Sequence, residues 1–147
     1  VDEMVLPKSC GEPQLKTAVS DEVFLLKLTP GLSPRIFDAL ADMGYKGIVV
    51  EAFGLGGVNV LNESLSAINR VLEKGINVVV TSQCLYDSSN LGVYQVGTRL
   101  LALGVVQARD MTSEAAMTKL MWGIGQGYDN DRIKQLFATN LAGEISL

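Results

Sequence analysis

Short apolar runs alternate with amphipathic stretches along most of this chain. Unbroken runs of Val, Ile and Leu, in contrast to strictly alternating ones, are typical of strands that are buried on both faces. The predicted strands cover residues 23–28, 47–50, 77–81 and, least clearly, 105–106. Apolar residues at helical spacing predict helices near residues 33–44, 62–74, 93–103, 114–125 and 130–138. The pattern therefore predicts strands and helices in strict alternation, followed by two further helices.

The predicted helices carry recognisable end signals. Ser33 is expected to cap the first helix, with Pro34 in its first turn. Gly44, Gly75 and Gly104 are expected to end the first three helices. Ile36, Phe37, Leu40 and Met43 are expected to form the buried face of the first helix. The YDNDR segment at 128–132 is expected to cap the last helix.

Strands separated by single helices are characteristic of βαβ units, because parallel neighbours need a crossover connection. The predicted fold class is α/β, a three-layer α/β/α arrangement with a parallel sheet of about four strands. Residues 1–22 hold prolines and mixed charges without sustained periodicity, so they are interpreted as an interdomain linker or arm. Residues 23–147 are interpreted as the α/β domain.

Composition narrows the function classes. The net charge of −4 and the scattered Lys and Arg residues argue against nucleic acid as a ligand. The apolar runs are too short to span a membrane. The two cysteines, Cys10 and Cys84, match neither a metal-ligand spacing nor a disulfide framework, which favours a reducing compartment and predicts a cytoplasmic protein.

Candidate chemistry lies at the carboxyl ends of the predicted strands, where parallel sheets bind ligands. Glu51 is either an acid–base group or a salt-bridge partner. Thr81, Ser82, Gln83 and Cys84 follow the third strand. Because the chain contains no histidine, neither a Cys–His pair nor a Ser–His–acid triad exists within it, and Cys84 is expected to be a buried, inert thiol.

A glycine-rich loop with Gly54, Gly56 and Gly57 follows the second strand. Asn59 occupies the position where a G-x-G-x-x-G phosphate loop needs its third glycine. The loop is therefore interpreted as a tight strand-to-helix turn. Residue chemistry alone predicts an α/β domain without a complete active site.

Several segments together resemble the C-terminal domain of cytoplasmic, type I L-asparaginases, and nearly as much the matching part of the archaeal glutamyl-tRNA amidotransferase glutaminase subunit. They are VFLLKLTPGLSP at 23–34, GYKGIVVEAFGLGG at 44–57, INVVVTSQCLYD at 76–87, GVVQARDMTSEAAMTKLMWGIGQ at 104–126 and TNLAGEI at 139–145. Their order and glycine placement make the resemblance specific.

The resemblance implies an amidohydrolase that converts L-asparagine to L-aspartate and ammonia, without metal or cofactor. Its catalytic threonines, with a Thr–Asp pair and a lysine, would belong to an N-terminal catalytic domain whose motifs are absent from this chain. The chain is accordingly expected to be inactive alone, to pack against that domain and to support a homo-oligomer, a dimer or tetramer. The alternatives are the glutaminase subunit of a tRNA-dependent amidotransferase and a non-catalytic module that binds a free amino acid.

The resemblance also implies roles for individual positions. The loop at Gly54, Gly56 and Gly57 matches one that reaches a neighbouring subunit, although Gly57 stands where relatives have asparagine. Cys84 matches a cysteine bordering a second, effector site for L-asparagine, and Glu51, Thr81, Ser82 and Gln83 would line that site. The regulated relatives have arginine at the position of Glu51, so an effector site here would be lost or rebuilt.

Overall fold

The structure is a computed structural model that describes residues 12, 14–53, 62–84, 91 and 95–146. The described strands are β1 (Val23–Lys27), β2 (Gly47–Ala52), β3 (Asn77–Ser82) and β4 (Val106–Gln107). The described helices are α1 (Arg35–Asp42), α2 (Asn62–Glu73), α3 (Gln95–Leu103), α4 (Ser113–Gly125) and α5 (Asn130–Ala138). The predicted alternation of strands and helices is confirmed.

The four strands form one parallel sheet in the order β1-β2-β3-β4. Because the strands follow each other in chain order and crossovers turn in one sense, the three connecting helices lie on the same face. Helices α4 and α5 contact the opposite face, where α4 packs on β1, β2 and β3. The three-layer α/β/α fold predicted from the sequence is confirmed.

The sheet separates two apolar cores, and its central strands contribute to both. Val50 and Val80 pack with α1, α2 and α3, whereas Val49 and Val79 pack with α4 and α5. All four side chains are fully buried. Alternate side chains of a strand point to opposite faces, so each central strand joins the two cores.

Helix ends follow local sequence signals with one exception. Thr112 caps α4 by accepting a hydrogen bond from the Ala115 N–H, and Asp129 caps α5 by accepting one from the Arg132 N–H. The expected Ser33 cap is wrong by one residue: Pro34 is the N-cap of α1 and makes no side-chain cap bond. Proline has no side-chain acceptor for a cap bond. Ser33 Oγ accepts a hydrogen bond from the Arg35 N–H at 3.4 Å, so it contacts the first residue of α1 without being its N-cap.

The expected buried position of Met43 is also wrong. Its side chain is 70% exposed, because α1 ends at Asp42 and Met43 caps the helix, just before Gly44. Gly44 has a φ of 89°, in the left-handed region, and ends the helix as expected. Phe37 and Leu40 are buried as expected.

In the part of the chain that the structure describes, no helix is long and apolar enough to cross a bilayer.

Candidate functional site

The carboxyl edge of the sheet places polar residues side by side. Lys27 pairs in register with Glu51, and Glu51 pairs with Thr81. Partners in a parallel ladder point to the same face, so these three residues form one row on the face that α4 covers. The structure therefore brings together two residues that the sequence singled out, and adds Lys27 to them.

Glu51 is engaged in an ion pair within this row. Its Oε2 lies 3.3 Å from Lys27 Nζ, and the side chains are 16% and 63% exposed, respectively. The geometry agrees with the salt-bridge interpretation of Glu51. Because Lys27 is largely exposed, its ammonium group is accessible to solvent at the edge of the sheet.

Thr81 is fully buried, and its hydroxyl has a structural partner. Thr81 Oγ1 donates a hydrogen bond to the Met111 carbonyl oxygen at 3.0 Å. This bond links the end of β3 to the segment that enters α4. A hydroxyl in this setting stabilises the site's framework, because a buried carbonyl without a partner would cost about 1–3 kcal/mol.

Gln83 bridges the ends of two strands. Its Nε2 donates to the Leu28 and Glu51 carbonyl oxygens, both at 2.9 Å, and its backbone N–H donates to the Ala52 carbonyl at 3.0 Å. The amide donors of Gln83 are thus used to hold the ends of β1 and β2 together.

Cys84 lies beyond the covered part of the sheet. The prediction that this thiol is buried is wrong, because Cys84 is exposed. β3 ends at Ser82, and the Cys84 N–H donates a hydrogen bond to Ser82 Oγ at 3.0 Å just past the strand. The helices that bury Val79 and Val80 therefore do not cover the cysteine two residues past the strand.

The loop residues Gly54, Gly56 and Gly57 lie outside the described residues. Their predicted contact with a neighbouring subunit stays a prediction. Among the residues that the structure does describe, no group of three or more His, Cys, Asp or Glu side chains could hold a metal ion.

Sequence reasoning missed a buried ion pair next to the last turns of the chain. Lys119 Nζ donates to the Glu144 carboxylate and to the Thr139 carbonyl oxygen, the latter at 2.6 Å. The Glu144 carboxylate also accepts from the N–H groups of Leu141 and Ala142. The signal was present, because Lys119 stands beside Leu120 on the inward face of α4, and a buried lysine requires a partner.

Burial alone would raise the pKa of Glu144, but the hydrogen bonds from Lys119 and from the N–H groups of Ala142 and Leu141 lower it to about 2. Asp110 accepts a hydrogen bond from the Ser146 N–H at 2.9 Å. The partial burial of Asp110 would raise its pKa, yet the hydrogen bonds from Ser146 lower it. These two carboxylates hold the segment at 139–146 against the domain.

Comparison with known proteins identifies a family and several relatives that this chain resembles. Residues 22–137 match the family described as the glutaminase/asparaginase C-terminal domain. The chain is 41% identical to a subunit of the glutamyl-tRNA(Gln) amidotransferase of Pyrococcus abyssi, over 95% of this chain and 31% of that protein. It thus spans less than a third of that curated relative.

Two solved structures superpose on nearly the whole chain. The thermostable L-asparaginase from Thermococcus kodakarensis matches with a TM-score of 0.86 and 38% identity, covering 97% of this chain and 44% of that one. L-asparaginase I from Vibrio cholerae matches with a TM-score of 0.85 and 28% identity, covering 94% and 42%.

Proposed function

Because the chain belongs to the glutaminase/asparaginase C-terminal domain family, we propose that it is the non-catalytic half of an amidohydrolase that converts L-asparagine to L-aspartate and ammonia. The observation that carries the proposal is the superposition on the thermostable L-asparaginase, with a TM-score of 0.86 over 97% of this chain. In this proposal the chain supports site assembly, and bond cleavage belongs to an N-terminal catalytic domain.

The contacts of the polar residues at the carboxyl edge of the sheet favour a structural role for this edge over a catalytic one. Thr81 and Gln83 donate their hydrogen bonds to backbone carbonyls, and Glu51 is paired with Lys27. A nucleophile needs an adjacent general base or a strongly lowered pKa. The chain contains no histidine that could serve as such a base.

A second candidate is the glutaminase subunit of a tRNA-dependent amidotransferase. The 41% identity to the amidotransferase protein of Pyrococcus abyssi, over 95% of this chain, favours it. The two candidates share the chemistry of side-chain amide hydrolysis and differ in the amide that is hydrolysed. The proposal further includes a homo-oligomeric assembly with the catalytic domain and a cytoplasmic location.

Ammonia release tests the proposal. We expect the purified 147-residue chain to release no ammonia from L-asparagine or L-glutamine, and a longer protein that contains it to release ammonia from L-asparagine. A longer protein that prefers L-glutamine, with turnover stimulated by glutamyl-tRNA, would establish the second candidate. Turnover by the 147-residue chain that survives repeated purification would overturn the assignment of catalysis to another domain.

The same edge is our proposed effector site for L-asparagine. Cys84 is exposed, Ser82 and Gln83 are partly exposed, and the exposed ammonium of Lys27 supplies a cation for a ligand carboxylate. Glu51, next to Lys27, would pair with the ligand's amino group. Thr81 would contribute indirectly, since it is buried and holds the end of β3 in place.

Calorimetry tests the effector site directly. We expect heat on titration with L-asparagine and none with D-asparagine, and the heat should disappear in Lys27→Met and in Cys84→Ala. Lys134→Met, which removes a half-exposed ammonium on α5, is the matched control and should bind as the parent does. Absence of heat at millimolar L-asparagine, or heat that survives Lys27→Met, would contradict the site.

A further inference from the structure

Residues 14–20, which we call the strap, run along the surface of α4. The Lys16 and Ala18 carbonyl oxygens accept hydrogen bonds from Trp122 Nε1 at 3.2 Å and Gln126 Nε2 at 2.8 Å. The Ser20 N–H donates to the Met121 carbonyl oxygen at 3.0 Å. Side chains and backbone of one helix thus hold alternate residues of the strap, which is the pattern of a docked peptide.

Gly125 makes this contact possible. A Cβ atom at this position would lie 2.6 Å from the Ala18 carbonyl oxygen and from Val19 Cα. Both are backbone atoms, so the clash could be relieved only by moving the strap. Glycine inside a helix is less favourable than alanine by about 1 kcal/mol. The close approach of the strap supplies a physical reason for glycine at this position.

Further contacts anchor both ends of the strap. The Lys16 ammonium lies 5.8 Å from the centre of the Trp122 ring, within the range of a cation–π contact. Just after the strap, the Glu22 carbonyl oxygen accepts from the N–H groups of Lys46 and Gly47, at the start of β2. The strap therefore lies between the contact of Lys16 with α4 and the hydrogen bonds of Glu22 at the start of β2.

Polar contacts, and not apolar burial, hold the strap. Leu15 and Val19 are 90% and 59% exposed, so neither contributes its side chain to the core. A segment held by a few hydrogen bonds on an otherwise folded surface opens at a lower free energy than the core does. Local changes on α4 should accordingly release the strap without unfolding the domain.

We propose that residues 14–20 detach from the surface of α4 around Gly125, Trp122 and Gln126 and return to it while the rest of the domain stays folded. The docked strap covers Gly125, and release of the strap leaves that part of α4 open to solvent. This inference rests on contacts within the chain and stands whether or not the proposed amidohydrolase activity is found.

Limited trypsin digestion of the 147-residue chain tests the detachment of the strap. We expect Gly125→Ala to speed cleavage after Lys16 by about tenfold or more, because cleavage follows the population of the open strap. Cleavage after Lys27, within β1, reports opening of the domain itself and should not change. Thr118→Ala, at an exposed position on the same helix, should digest like the parent.

A milder variant guards against a general loss of folding. Gln126→Ala removes one hydrogen bond to the strap and should accelerate cleavage after Lys16 severalfold, with unchanged far-UV circular dichroism. Equal rates after Lys16 in the parent, Gly125→Ala and Gln126→Ala would overturn the proposal. So would acceleration after Lys16 and Lys27 by the same factor, since that result describes unfolding of the whole domain.

The direction of the change in melting temperature gives an independent test. In a chain that begins at Asp21 the strap is gone, and Gly125→Ala should raise the melting temperature, because alanine is the better helix former. In the 147-residue chain the same substitution should not raise it. An equal rise in both chains would show that the strap does not occupy the surface next to Gly125.

Discussion

Lys119 places a positive charge inside the domain, and the chain's last turns are arranged around it. Its side chain is only 5% exposed, and its ammonium group lies 5.6 Å from the centre of the Phe137 ring. The Thr139 carbonyl oxygen and the Glu144 carboxylate accept its hydrogen bonds. Removing one partner of a buried ion pair leaves an uncompensated charge, so the segment at 139–146 must remain docked while the domain is folded.

The Glu144 carboxyl makes stability dependent on pH. Burial would raise its pKa, but the hydrogen bonds from Lys119 and from the Ala142 and Leu141 N–H groups lower it from 4.5 to about 2. A carboxyl group whose pKa is lowered by folding stabilises the native state at pH values above its pKa in the unfolded chain. This contribution is lost as the pH falls toward its pKa in the folded protein. We expect Glu144→Gln to flatten the fall in the free energy of unfolding below pH about 4.5, measured by urea denaturation.

The control for this measurement is Asp131→Asn. Asp131 is 86% exposed and lies 3.3 Å from Lys134, and an exposed pair of this kind contributes little to stability. Its variant should keep the acid slope of the parent. If Glu144→Gln also kept that slope, the ion pair with Lys119 would not contribute to acid stability.

Helix α4 approaches two other segments closely through two glycines on different sides. Gly125 faces the strap, and Gly123 faces α5. A Cβ on Gly123 would lie 2.5 Å from Ile133 Cδ1 and 2.8 Å from Leu136 Cδ2. Ile133 is fully buried, so its side chain cannot turn out to solvent. Close packing of α4 on α5 therefore depends on the missing side chain at Gly123.

We expect Gly123→Ala to destabilise the domain by about 1–2 kcal/mol, because overpacking outweighs the gain in helix propensity. Ile133→Val removes the Cδ1 atom that the new methyl group meets, so the double variant should be more stable than the sum of the two single changes predicts. Urea denaturation of the four proteins measures this coupling. Strict additivity would contradict the contact.

The whole domain should unfold as one unit, because β2 and β3 supply residues to both cores. Trp122, the chain's single tryptophan, packs against the core formed by α4 and α5. Leu40, on α1, is buried in the other core. A change at Leu40 therefore tests whether the two faces of the sheet are coupled.

We expect Leu40→Ala to lower the stability by about 2–5 kcal/mol, the usual cost of a cavity of this size. The loss should be the same whether thermal unfolding is followed by Trp122 fluorescence or by far-UV circular dichroism. Val19→Ala, at an exposed position, is the control and should leave both transitions in place. A Trp122 transition that stays in place in Leu40→Ala would mean that the two cores unfold separately.

Local sequence patterns predicted the strands, the helices and their order along the chain. Uninterrupted apolar runs such as Val78–Val80 indicated strands covered on both faces, and their alternation with helices indicated a parallel sheet, as found. The caps at Thr112 and Asp129 were also predictable, because each hydrogen bond spans three residues. The two errors on α1 concern its ends: Pro34 and not Ser33 is the N-cap, and Met43 is exposed.

Residue periodicity therefore determined the layers and the buried faces, since that information lies within a few neighbouring positions. Only the tertiary structure decided which partner each polar group has: Thr81 reaches the carbonyl of Met111, and Lys119 reaches Glu144. It also decided that Cys84 is exposed and that a strap crosses α4 at Gly125. These contacts join residues that are distant in the chain, and their geometry exists only once the sheet and helices have packed.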